Sequence, residues 1–165
     1  MSQVVDGSIT IYDAMNKIKN GNFAMPAFQR QYVWSLYQIE RLVDSILLNY
    51  PIATFLFWHI DSNNVLGETY FCDFLQQATF DNKNKADELN YDLRTIDTTV
   101  TDTAILDGQQ RLTSLYLTLF GKFYKRQKHT RKSSFGGTVL SCYVELDENK
   151  LDIDEEEYNS KNGSS

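Results

Sequence analysis

The densest group of chemically capable side chains is the run Asp107, Gly108, Gln109, Gln110 and Arg111. It stands between a short apolar run, Thr103 to Leu106, and a stretch in which Leu112, Leu115, Tyr116, Leu119 and Phe120 recur at three and four residues. That pattern reads as a buried strand, a tight polar turn and an amphipathic helix. A helix start carries backbone N–H groups without partners, and its aligned peptide dipoles make it electropositive, so it attracts phosphate. Arg111 in the first turn adds a forked, permanently charged donor, and Gly108 allows a sharp bend with room for a ligand. The plainer reading is a capped helix with Arg111 on the surface. In that reading Asp107 is the cap, and Gln110 reaches back to it as in a capping box.

A second group is Gln29-Arg30, inside the aromatic stretch from Asn22 to Trp34. Arg30 is either a second phosphate or base contact, or an arginine stacked on Phe28, Tyr32 or Trp34. A third is the basic run Lys122, Lys125, Arg126, Lys128, Arg131 and Lys132, flanked by Phe123, Tyr124 and Phe135. It can track a nucleic-acid backbone, or it can be the solvated end of a helix whose negative pole favours cations. His59 has no acidic or cysteine neighbour in sequence and reads as a rim residue. Cys72 and Cys142 are isolated and have no CxxC spacing, so neither a zinc site nor a disulfide framework is indicated. Both are expected to be reduced thiols in a cytoplasmic protein.

The elements that must position these groups follow from periodicity. Ile11 to Asn20 reads as a helix capped by Thr10 and closed by Gly21, with Ile11, Ala14, Met15 and Ile18 inward. Pro26 argues for an extended edge segment or a strand end. Ser35 to Asn49 is the clearest helix. It has a Ser35/Gln38 capping box, a Trp34–Ile39 staple and a core face of Leu36, Ile39, Leu42, Val43, Ile46 and Leu47, and it stops before Pro51. Ile52 to Ile60 reads as a strand buried on both faces. Residues 61–102 are polar yet hold the aromatic patch Tyr70 to Phe80, and they are expected to form an inserted hairpin or helix acting as a lid or contact surface. Thr138 to Leu146 reads as a further strand.

At 165 residues with 42% hydrophobic composition the chain fits one domain with a proper core. Of the formal charge of -6, -5 falls on residues 147–165 and only -1 on the rest, so global charge neither favours nor excludes nucleic acid. The acidic tail is expected to be disordered, and its Asn-Gly-Ser-Ser end reads as a cut. No secretory signal is visible, and no apolar run approaches the ~18 residues of a membrane span.

Taken together, PAFQRQYVW, then SILLNYPI, then ILDGQQRLTSL resemble the N-terminal domain of a prokaryotic family of type IV restriction and phage-defence proteins that includes GmrSD, SspE and BrxU. The resemblance covers most of Ile9 to Leu146. It implies an α/β (α+β) domain of ParB/sulfiredoxin-like fold over residues 1–146, a small mixed sheet with packed helices. It also implies a nucleotide-binding and NTP-hydrolysing role at the DGQQR turn. The expected site has Asp107, Gln109 and Gln110 as catalytic groups and Asp107 on Mg²⁺. Gly108, Gln110, Arg111, Thr113, Gln29 and Arg30 would bind the nucleoside triphosphate. DNA is an expected partner of the full-length protein, and a homodimer is left open. Such domains usually continue into helical regions and often an HNH-type nuclease. With His59 and His129 as its only histidines, this chain is not expected to cleave DNA. The alternative is a non-catalytic, nucleotide-switched module that binds DNA or senses its modification.

Overall fold

The computed structural model describes residues 7–60, 70–81, 83–86, 93–95, 97, 99–126 and 138–141. Lys128, Arg131, Lys132, His129, Cys142 and the acidic tail lie outside the described residues.

Helix α1 (Ile11–Lys19) starts where Thr10 accepts the Asp13 N–H, and it turns Ala14, Met15 and Ile18 into the core. Strand β1 (Phe23–Pro26) follows. It lies in the centre of a five-stranded sheet, so Pro26 marks a strand end and not an edge strand. Helix α2 (Leu36–Leu47) carries the full Ser35/Gln38 capping box. Leu36, Ile39 and Leu42 are buried, whereas Leu47 is exposed where the helix gives way to Asn49 at φ 57°.

Strand β2 is shorter than its apolar composition suggests, Leu56–His59, and it is the sheet edge, with exposed ends and half-buried Phe57 and Trp58. A run of β-branched and aromatic residues is equally compatible with an edge strand that packs one face only, so the expectation of burial on both faces fails. Strands β3 (Tyr70–Cys72), β4 (Gln77–Phe80) and β5 (Leu93–Thr95) fall within residues 61–102 and contribute to both sheets.

Strand β6 (Thr103–Asp107) runs parallel to β1, with Phe23 opposite Thr103 and Ala24 opposite Ala104. The main sheet has the order β2-β6-β1-β3-β5. Alternation along β1 and β6 sends Phe23, Met25 and Ile105 to the helical face and Ala24 and Ala104 to the other. Helix α3 (Gln109–Phe120) is followed by β7 (Lys122–Lys125) and β8 (Thr138–Leu140), and a second sheet has the order β4-β7-β8.

Helix α3 is wedged between two cores. Leu112, Leu115 and Tyr116 pack with α1, α2 and the main sheet, while Leu117 joins Tyr32, Leu36, Ile39, Phe80 and Phe123 against the second sheet. Its first nine residues are therefore buried almost all round, including Gln109, Gln110, Thr113 and Ser114. Leu119 and Phe120 emerge into solvent at 57% and 44% exposure, so the buried stripe expected to run the length of the helix stops at Leu117. The described residues thus form an α+β domain, and no helix among them is long and apolar enough to cross a membrane.

Candidate functional site

Because β1 and β6 are parallel neighbours, the segments leaving their C-terminal ends emerge side by side. One carries Gln29 and Arg30 and the other carries Asp107 to Arg111. The crevice beyond the carboxyl ends of parallel strands is the usual ligand position in such sheets. A cavity of about 480 Å³ opens there, lined by Gln29, Arg30, Trp34, Leu106, Asp107, Gly108, Gln109, Gln110 and Arg111.

The turn is built differently from the expected capping box. Gly108, not Asp107, occupies the N-cap of α3 in the left-handed region at φ 86°, and no side chain caps the helix. The first N–H groups of α3 consequently have neither an intrahelical nor a side-chain acceptor among the described residues. The Asp107 carboxylate is 72% exposed and 3.8 Å from Arg111 Nη2. Gln110 is not available to reach back, because it binds across the site instead. Its Oε1 accepts from the Val33 N–H at 3.1 Å, and its Nε2 donates to the Gln31 carbonyl at 3.1 Å. It thereby sews the segment after β1 onto α3.

Gln29 Nε2 donates to the Leu106 carbonyl at 3.1 Å, a second stitch between the same two segments. Gln109 makes the third and weakest, Nε2 to the Arg30 carbonyl at 3.5 Å. Its Oε1 has no partner among the described residues, although the residue is 94% buried (6% exposed) and lines the cavity. Whichever way such an amide is turned, one polar end remains unsatisfied. A buried polar atom without a partner is costly, about 1–3 kcal/mol, a cost that an ordered water or a ligand group would relieve.

The two arginines divide. Arg111 is largely spent within the protein. Its Nη1 donates to the Ile52 carbonyl and its Nη2 to the Thr54 carbonyl at 2.7 Å, with the guanidinium 4.5 Å from the centre of the Phe55 ring. It shapes the wall from the 52–55 side. Arg30 is exposed at the rim, and its guanidinium has no ring, carboxylate or carbonyl partner among the described residues, so the aromatic stack considered for it is not formed.

Thr113 does not belong to the cavity. It lies one turn further along α3 than Gln109 and is fully buried, with Oγ1 4.0 Å from Met25 Sδ. The basic run is also displaced, since Lys122 and Lys125 sit beyond the far end of α3, about 18 Å of helix from its start. They lie on a strand and not on a helix end, and strand alternation puts these two charges on opposite faces of β7.

Residues that pattern reading did not place at the site are Trp34, read as a helix staple or as a stacking partner of Arg30, and the Ile52 to Phe55 segment, taken for strand. Trp34 was detectable in principle through its place four residues after Arg30. The role of the Ile52 and Thr54 carbonyls leaves no trace in side-chain types.

Among known proteins, residues 11–164 match the family described as GmrSD restriction endonuclease, N-terminal domain. An uncharacterized protein of Methanocaldococcus jannaschii is 31% identical over 125 residues, which cover 76% of this chain and 19% of that protein. The chain thus spans about a fifth of the length of that relative.

Proposed function

From the premise that this chain belongs to the family of the GmrSD restriction endonuclease N-terminal domain, we propose that it is the nucleoside triphosphate-binding and hydrolysing domain of a DNA restriction protein. The observation that carries this reading is the meeting of an uncapped helix start, a free arginine and an unsatisfied buried amide in one cavity. The α3 N–H groups and Arg30 complement phosphate oxygens. Gln109 lines the cavity, and its buried, unpartnered Oε1 would be the acceptor for a ligand hydroxyl or an attacking water.

Asp107 is the carboxylate among the described lining residues, and Mg²⁺ is commonly held by one or two carboxylates together with substrate phosphates. When bound, the ion would neutralise charge on the transferred phosphoryl group, and the protein's part is mainly to position and to stabilise electrostatically. Asp107 would orient the ion or the water. Gln110 is committed to Val33 and Gln31, so Gln109 is the better candidate for placing the water.

Arg30→Ala is expected to weaken triphosphate binding ten- to a hundredfold, the loss of one charge-assisted contact of about 1.5–3 kcal/mol, with thermal stability almost unchanged because the side chain is exposed. Titration calorimetry with Mg²⁺-NTP reads this directly. Equal affinity in parent and variant would remove Arg30 from the site. For Asp107→Ala the measurement is phosphate release with Mg²⁺. A fall of about a hundredfold is expected, the usual scale for removing one positioned electrostatic group, while an unchanged rate would exclude the carboxylate from turnover.

A further inference from the structure

The cavity is chemically lopsided. Much of its lining is polar, with Arg30, the α3 N-terminus and the unsatisfied Gln109 amide, whereas Trp34 supplies a large aromatic surface. Trp34 is only half-buried, although it packs against both hydrophobic cores. It is also held stiffly. Gln110 fixes Gln31 and Val33 just before it, and the Ser35 capping box anchors the residue just after it. A bare phosphate would use the polar lining and leave the indole wall unmatched. A nucleotide presents phosphate and an aromatic base on one molecule.

We infer that Trp34 is the nucleobase-facing wall of the cavity, a stacking surface that recognises a base by its π-face while Arg30 and the start of α3 take the phosphates. This assignment rests on the nucleotide reading above. Stacking is tolerant of base identity because every base has a π-face, and the larger purine rings gain more from it. The site therefore selects nucleotides over inorganic polyphosphate and purines over pyrimidines, with little further discrimination from this wall.

The chain has two tryptophans, and Trp58 lies on β2, packed against the small cluster on the other face of the sheet. Trp58→Phe leaves Trp34 as the sole indole without altering the cavity. In that protein Mg²⁺-ATP and Mg²⁺-GTP are expected to quench the remaining emission, CTP less so, and inorganic tripolyphosphate not at all. Calorimetry in parallel reports binding itself. Nucleotide binding with unchanged emission, or equal quenching by tripolyphosphate, would overturn the wall and leave the nucleotide reading intact. Binding of neither ligand by the parent chain would remove both.

A second set of variants covers the case in which Trp58→Phe does not fold. Trp34→Leu, which preserves an apolar staple, is expected to lose roughly tenfold in ATP affinity with tripolyphosphate affinity unchanged, and Trp34→Phe to recover most of that loss. Equal losses for both ligands, or no loss for either, would overturn the assignment.

Discussion

Gly108→Ala is expected to destabilise the protein by about 2–4 kcal/mol and to lower its melting temperature by roughly 5–15 °C, from the sum of backbone strain and overpacking. Gly108 has φ 86°, and a Cβ there would come within 2.3 Å of Phe55 Cδ1 and 3.2 Å of Arg111 Nη2. Phe55 has little freedom to retreat, since it packs on the main core, lies 6.2 Å from the Phe57 ring and carries the Arg111 guanidinium. Gly21 is the internal control. It has a similar φ of 78°, but a Cβ would meet only Val100 at an ordinary 3.8 Å. Gly21→Ala should therefore show the strain alone, about 1–2 kcal/mol. Equal melting temperatures for the two variants would mean that close approach to Phe55 contributes nothing.

Arg111→Ala is expected to cost about 2–4 kcal/mol of stability, the loss of two charge-assisted bonds and a ring contact, partly recovered by relaxation of the loop. The side chain is 16% exposed, and its fork spans the carbonyls of Ile52 and Thr54 on either side of Ala53. Ala53 has φ 66°, a conformation that costs an L residue about 1–3 kcal/mol and persists only where the surroundings impose it. Arg111 supplies that imposition. Lysine brings a point charge and no planar fork, so Arg111→Lys should recover little. The nearby Asp107 carboxylate contributes modestly, because it is mostly exposed and 3.8 Å away. Hydrogen exchange of residues 52–56 discriminates sharply. Faster exchange there in Arg111→Ala supports the wall-holding role, whereas unchanged exchange and stability with weakened triphosphate binding would return Arg111 to a purely ligand-facing role.

Local patterns were sufficient for the elements whose ends are fixed by adjacent residues. Thr10 with Asp13 and Ser35 with Gln38 form caps within four residues of chain, and both helices start where those residues predict. Asp107 with Gln110 has the same local signature and does not form a cap. The difference is not in the motif. Gln110 finds the Val33 N–H and the Gln31 carbonyl, 77 and 79 residues away, and a cross-chain partner in the core outcompetes a local one at the rim. Burial misled similarly. The segment from Ile52 to Ile60 is apolar enough for an inner strand, yet it forms the sheet edge. Leu119 and Phe120 continue the helical stripe but extend past the end of the packing surface.

By itself the sequence determined the three helices, the strand between α2 and residue 61, the strand-turn-helix that sets Asp107 to Arg111 at a helix start, and the family resemblance carried by that turn together with Gln29-Arg30, whereas β3, β4, β5 and β7 were not read from it. The features it determined depend on periodicity and on contacts between near neighbours. Only the tertiary structure decided which of the candidate residues share a site. The parallel pairing of β1 with β6 brings Arg30 to the helix that begins 79 residues after it. The wedging of α3 between two cores turns Thr113 inward and leaves the buried oxygen of Gln109 without a partner among the described residues. The physical reason is that a DGQQR turn offers more donors and acceptors than it can satisfy locally. Which of them become structural stitches, as Gln110 and Arg111 do, and which stay without a partner among the described residues, as the Gln109 oxygen does, is set by the distant chain that folds against them.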